Sequence, residues 1–245
     1  MTTQKATLYR MVMDKHVCPY GLKAKDLLER KGYHVDDQWL KSRDETDALM
    51  KKYDVKTTPQ IFINDERVGG YDALRQFFGQ TVLGKDETTY RPVIAIFCVG
   101  LLMALAVSWS MYQDLLTVRT FEWFIAFSMT LLALQKLQDV ESFSTMFLNY
   151  DLLAKKWVRY GYIYPFAEAF AGILMISGAL LWLAAPISLA IGTIGAVSVF
   201  KAVYIDKREL KCACVGGGNN VPLGFVSLTE NLMMMFMGLW MLGQI

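Results

Sequence analysis

The chain has 245 residues, a net charge of +2 and four cysteines, and 54% of its residues are hydrophobic. That length allows one large or two modest domains, and so small a positive excess argues against a nucleic-acid partner. Residues 1–91 carry most of the charge and residues 92–245 carry long apolar runs, which fits a small soluble domain followed by a membrane domain better than one globule.

Met1 to Lys5 lead into a charged amphipathic stretch without a signal-peptide pattern, so the first domain is expected in the cytoplasm. Cysteines facing that compartment point to redox or metal chemistry rather than to structural disulfides. Thr7 to Met13 reads as a strand. Cys18-Pro19-Tyr20-Gly21 follows, and Pro19 fits the first helical position, where its missing N–H is harmless. A thiol just before a helix start faces unpaired N–H groups and a partial positive charge, and both favour the thiolate. Leu22, Leu27 and Leu28 form the expected apolar stripe, and Gly32 stops the helix. Val35 to Leu40 reads as a second strand. Asp44 to Tyr53 reads as a helix with Asp44 as cap and Leu49 and Met50 inward. Gln60 to Ile63, a turn at Asn64-Asp65, and Arg67-Val68 read as a hairpin, with a closing helix over Asp72 to Phe78. The order β-α-β-α-β-β-α predicts an α/β sandwich over residues 1–85 with the reactive sulfur at the sheet edge.

Lys15, Cys18-Pro19-Tyr20, Thr58-Pro59 and Gly69-Gly70-Tyr71-Asp72 together resemble a glutaredoxin, a thioredoxin-like fold. The resemblance implies a cis Pro59 against the active sulfur, with Lys15, Tyr20, Thr58, Pro59, Gly70 and Asp72 holding glutathione. Gly21 stands where dithiol members carry a second cysteine, so Cys18 is restricted to monothiol chemistry. Pro-Tyr-Gly also differs from the Gly-Phe-Ser that follows the cysteine in cluster-binding monothiol members.

Five spans are expected in an all-α transmembrane bundle over 92–245, at about 92–112, 121–138, 163–185, 186–204 and 222–242. The second is the weakest, interrupted by Gln135 and Lys136. Gly172, Gly178, Gly192 and Gly195 allow close helix approach. Trp109, Trp123, Tyr162, Tyr164 and Trp240 fall near predicted ends, as an interfacial aromatic belt would. With the first domain inside, the inner loops hold Lys155, Lys156, Arg159, Lys207, Arg208 and Lys211 and the outer loops hold only Arg119. That matches the positive-inside rule for an inner (cytoplasmic) membrane protein and leaves the C-terminus outside.

This topology places Cys212-Ala213-Cys214, at the head of a Gly-rich loop ending at Asn220, on the same side as Cys18. Two cysteines one residue apart can close a small, strained and readily reduced ring, and Lys207, Arg208 and Lys211 supply positive charge beside it. Lys136-Leu137-Gln138-Asp139 with Phe143, Tyr150-Asp151-Leu152-Leu153, Pro165-Phe166-Ala167-Glu168 with Gly172, Cys212-Ala213-Cys214 and Glu230-Asn231 resemble the MauE family of redox-associated membrane proteins, related to DoxX. That resemblance implies a membrane partner in thiol–disulfide chemistry. A quinone as terminal electron carrier comes only by analogy, and no residue specifies it.

Glu168, Glu230 and Asn231 are polar residues inside predicted spans and therefore functional candidates. Proton handling, a cation site, and structural hydrogen bonds to Asn231, Ser227 or a tyrosine are the readings open to the two glutamates. Cys98 reads as a small buried hydrophobe, and the Met233-Met234-Met235 and Met237 run as packing. The leading expectation is an integral membrane thiol–disulfide oxidoreductase. Its catalytic residues are Cys18, Cys212 and Cys214, with glutathione, an unidentified protein thiol substrate and the lipid bilayer as partners. The alternative is a soft-metal protein holding Cu(I) or a similar ion on the same three thiolates.

Overall fold

Strand β1 (Lys5–Met13) alternates, so Ala6, Leu8 and Arg10 all turn inward. A buried arginine on a core-facing line needs a partner. Asp37, on the parallel neighbour β3 (His34–Leu40), accepts two hydrogen bonds of 2.8 Å from Arg10 Nε and Nη2. On its other side β1 pairs antiparallel with β4 (Gln60–Ile63), which pairs in turn with β5 (Glu66–Gly69). A two-residue strand β2 (His16–Val17), not foreseen from the sequence, folds back on the end of β1. These elements belong to the first of two compact units, Met1–Lys85 and Asp86–Ile245. The computed structural model describes residues 4–13, 16–82, 84, 88–213 and 221–245.

Helices α1 (Pro19–Arg30), α2 (Arg43–Lys52) and α3 (Tyr71–Phe77) complete the first unit. Its core gathers Leu8, Leu27, Leu28, Ile61, Ile63 and Leu74. Leu22 is exposed, so Gly21, Ala24, Leu27 and Leu28 form the inward face of α1. The α2 cap is Ser42, whose hydroxyl accepts from the Glu45 N–H at 3.1 Å, and not Asp44. A hydroxyl one residue earlier reaches the third amide of the helix, and Asp44 then sits favourably in the first turn. The thiol follows the central strand rather than an edge strand, because β1 is flanked by β3 and β4.

The second unit is helical: α4 (Arg91–Tyr112), α5 (Val118–Leu137), α6 (Val140–Phe147), α7 (Val158–Ser177), α8 (Leu181–Phe200) running into a π-turn at Lys201–Ile205, and α9 (Phe225–Leu242). Among the described residues three helices, Arg91–Tyr112, Leu181–Ile205 and Phe225–Leu242, are long and apolar enough to cross a membrane. α5 and α7 are 20 residues each, so each reaches about 30 Å, but α5 carries Arg119, Glu122 and Lys136, and α7 carries Arg159 and Glu168. The break expected between 185 and 186 lies at Gly178, in the left-handed region at φ +67°, which a residue without Cβ adopts freely. Pro186 falls inside α8.

Large apolar side chains such as Leu102, Trp109, Phe121, Phe166 and Trp182 point outward, as lipid-facing surfaces require. Trp123 and Tyr164, expected in an interfacial belt, are buried instead. Cys98 is exposed on α4 rather than buried. Met234 and Met237 pack in the main core. α8 and α9 approach closely because a Cβ at Gly192 would fall 2.8 Å from the Met235 amide nitrogen, and one at Gly195 would run into Asn231 Oδ1.

Candidate functional sites

Cys18 occupies the N-cap of α1, with Pro19 as the first helical residue. Its N–H donates to the Met11 carbonyl at 3.0 Å, and its carbonyl accepts from the Leu22 N–H at 3.1 Å. Both bonds fix the backbone that carries the sulfur. The residue is 4% exposed and its thiol is free. Gly21 packs on the buried arginine, because a Cβ there would lie 2.6 Å from Arg10 Cβ and 2.8 Å from Arg10 Cδ.

A pocket of about 370 Å³ is lined by Tyr20, Thr58, Pro59, Gly70, Tyr71 and Asp72, among others. The Thr58–Pro59 peptide bond is cis. The Tyr20 and Tyr71 rings stand 6.3 Å apart, and Tyr20 is 56% exposed. Five of the six residues expected to hold glutathione therefore line one cavity; the sixth, Lys15, lies outside the described residues. The pocket offers apolar, aromatic and hydroxyl surface with one carboxylate, which suits a short peptide.

In the second unit Cys212 is disulfide-bonded. It is 1% exposed, in an apolar cluster with Val93, Leu132 and Val221. Its N–H donates to the Val221 carbonyl at 2.7 Å, and Leu223 N–H donates to Leu210 at 2.7 Å, so two short extended segments form the neck of the loop. Cys212 Sγ lies 3.0 Å from Ser227 Oγ on α9. Cys214 and the Gly-rich stretch fall outside the described residues.

Deeper in the same unit Lys136 donates to Glu168 Oε1 and Oε2 at 2.8 and 2.6 Å and to Glu230 Oε1 at 2.5 Å. The three residues are 2%, 0% and 3% exposed. The Tyr164 ring stands 5.4 Å from the Lys136 ammonium. Asn231 donates from Nδ2 to the Ser227 carbonyl at 2.7 Å, and Tyr164 Oη donates to Asn231 Oδ1 at 3.5 Å.

The family model for methylamine utilisation protein MauE matches residues 114–244, more than half of the chain, and the glutaredoxin family model matches residues 7–68. The chain belongs to the MauE family and carries an N-terminal glutaredoxin domain. The glutaredoxin of Pseudomonas aeruginosa is 41% identical over 58 residues, which are 23% of this chain and 69% of that protein. Glutaredoxin 1 of Rickettsia conorii is 42% identical over 60 residues, which are 23% of this chain and 59% of that one. Glutaredoxin 1 from Francisella tularensis, solved in complex with cacodylate, shares 24% identity with a TM-score of 0.28, covering 31% of this chain and 94% of its own.

The MauE domain therefore holds a charged cluster that the sequence reading missed in one respect. The sequence marks Glu168, Glu230 and Asn231 as polar candidates inside spans, whereas Lys136 reads there as an interruption of the second span. An ammonium in an apolar run, opposite two carboxylates on other runs, is the signature of a buried ion pair. Among the described residues no group of three or more His, Cys, Asp or Glu is arranged to hold a metal ion.

Proposed function

We propose that this chain is an integral membrane thiol–disulfide oxidoreductase, in which the glutaredoxin domain's Cys18 exchanges electrons with the Cys212–Cys214 pair of the MauE domain at the expense of glutathione. The observation that carries this reading is Cys18 at the N-cap of α1, in a domain where Tyr20, Thr58, the cis Pro59, Gly70 and Asp72 line one pocket. Cys18 is a free thiol at a helix N-cap, and Cys212 is in a disulfide while Cys18 and Cys98 are free. Cys214, which the sequence places two residues on, is taken in this proposal as the other member of the pair.

Cys18 attacks the pair. An S–S bond forms between Cys18 and one of the two sulfurs, the bond within the pair breaks, and the other sulfur leaves as a thiolate that takes up a proton. The Cys18 sulfur is then attacked by a glutathione thiolate, which frees the second cysteine of the pair and leaves Cys18 glutathionylated. A second glutathione removes that group as oxidised glutathione. Two electrons pass from two glutathiones to the pair, and oxidised glutathione drives the same steps backwards. Lys15, Tyr20, Thr58, Pro59, Gly70 and Asp72 hold the tripeptide. Covalent fusion of the two domains raises the effective concentration of one thiol near the other to about the millimolar range.

The reading places the glutaredoxin domain in the cytoplasm, five spans in the inner membrane with α5 and α7 among them, and the C-terminus outside. The charge distribution supports it, as does the internal neutralisation of Lys136, which removes the objection to α5 as a span. The test follows glutathione-driven reduction of the Cys212 disulfide in the full-length protein by thiol alkylation. Cys18→Ser is expected to slow it by roughly tenfold or more, given a tethered thiol's effective concentration. Equal rates with and without the Cys18 sulfur would overturn the proposal.

A further inference from the structure

The connection between α8 and α9 carries a basic pocket that thiol exchange does not use. α8 ends in the π-turn at Lys201–Ile205, and widened turns of this kind recur at functional sites. Beyond it Lys207 takes up the left-handed region at φ +49°, and the Arg208 N–H donates to the Ala202 carbonyl at 3.0 Å, so the chain turns back on the helix end. Leu210 and Lys211 then pair with Leu223 and Pro222 in the neck of the loop. Between the helix end and the neck lies a pocket of about 630 Å³.

Its lining has two characters. Val203, Leu210 and Leu223 supply apolar surface, while Lys207, Arg208 and Lys211 supply three cations against the one carboxylate of Glu209. Arg208 Nη1 donates to the Asn149 carbonyl at 2.7 Å, which fixes that side chain to the connection after α6. Neither Lys207 nor Arg208 forms a salt bridge among the described residues. An excess of positive charge beside an apolar floor favours an anion that carries an apolar body.

The place of the pocket along the helices says what that body is. One apolar helix long enough to cross a membrane ends at Ile205, and the next begins at Phe225. Both of those end residues expose their apolar side chains. The cations at 207–211 therefore follow directly on one apolar span, at the depth where lipid headgroups meet water. A bare inorganic anion leaves the apolar floor unmatched, and a zwitterionic lipid leaves the positive excess uncompensated. A phosphate on a diacylglycerol body matches both.

We propose that this pocket binds the headgroup of an anionic phospholipid, with its phosphate among Lys207, Arg208 and Lys211 and its acyl chains along the exposed apolar ends of α8 and α9. Lys211 and Pro222 adjoin Cys212 and Val221, so the bound lipid ties the neck of the cysteine-bearing loop to the bilayer surface. The proposal stands apart from thiol exchange and does not require Cys18 to react with Cys212.

The experiment is native mass spectrometry of the full-length protein in detergent, titrated with phosphatidylglycerol or with phosphatidylcholine. Phosphatidylglycerol is expected to bind about tenfold more tightly than phosphatidylcholine. Lys207→Gln with Lys211→Gln is expected to weaken phosphatidylglycerol binding by roughly twentyfold, from two interfacial lysines at about fivefold each. Both side chains are exposed, so the double variant is expected to fold. Lys155→Gln with Arg159→Gln removes the same charge from the connection between α6 and α7, and is expected to change the affinity by less than about twofold. Inorganic phosphate in excess is expected to displace no lipid. Equal affinity for the two lipids, or equal weakening by the two double variants, would overturn the proposal by showing general surface attraction. Displacement of phosphatidylglycerol by inorganic phosphate would overturn it in favour of a free-anion site.

Discussion

Gly21 and Arg10 are in direct van der Waals contact, so closely that a Cβ on Gly21 would sit 2.6 Å from the Arg10 Cβ. The clash is with the root of the arginine side chain, which cannot swing away without moving β1. The position that carries the second cysteine in dithiol relatives is therefore filled by the buried ion pair behind it. Gly21→Ala and Gly21→Cys are expected to destabilise the glutaredoxin domain by roughly 1–3 kcal/mol, as overpacking does. A thermal melt of the full chain, read from the amide exchange of α1, checks this. Melting temperatures unchanged in both variants would show that the Arg10 Cβ is no obstacle.

The partner of Arg10 responds to acid. Burial raises the Asp37 carboxyl, but hydrogen bonds from Arg10, Trp39 and Lys25 outweigh burial and hold it below its ordinary value of 3.8. A depressed native value means that the pair stabilises the fold above the ordinary value and loses that contribution as pH falls toward the native one. Amide exchange in β1 and β3 is expected to accelerate as pH drops below about 4 in the wild type. In Asp37→Asn it should be fast at neutral pH, from a loss of about 2–3 kcal/mol when the buried guanidinium loses its anion, and nearly independent of acid.

In the MauE domain, removing one charge should be worse than removing all three. Lys136→Met leaves two buried carboxyls without a cation and is expected to lower the melting temperature in detergent by several degrees or prevent folding, since breaking one side of a buried pair costs about 3–5 kcal/mol. Lys136→Met with Glu168→Gln and Glu230→Gln is expected to restore much of that stability. A triple variant as unstable as the single one would show that packing, not charge, is at stake.

The glutaredoxin fold was legible because its signals are local. Pro19 after Cys18 announces a helix start, and Asn64-Asp65 between apolar runs announces a hairpin, without reference to anything distant. Arg10 escaped notice because its core-facing position depends on Asp37, 27 residues away. Lys136 was misjudged for the same reason at greater range: Glu168 and Glu230, which make it tolerable, are 32 and 94 residues away. Proline is the louder local signal, so the sequence points to a break at Pro186, although a left-handed glycine such as Gly178 ends a helix more cleanly.

The pocket bordered by Tyr20, Thr58 and Asp72 should set affinity rather than turnover. Asp72→Ala is expected to raise KM for glutathione by roughly tenfold, the loss of one hydrogen bond to a charged group, with kcat within about twofold. Steady-state reduction of a glutathionylated peptide checks it. A fall in kcat at unchanged KM would move Asp72 from binding to chemistry.

The most direct measurement of Cys18 relay is covalent trapping. With Cys98→Ser and Cys212→Ser in place, Cys18 and Cys214 are the remaining cysteines, and oxidised glutathione is added to the protein in lipid. A peptide cross-linked through Cys18 and Cys214 should dominate the mass spectrum, with glutathione adducts as minor species. Glutathione adducts on both cysteines with no cross-linked peptide would contradict electron exchange between the two domains.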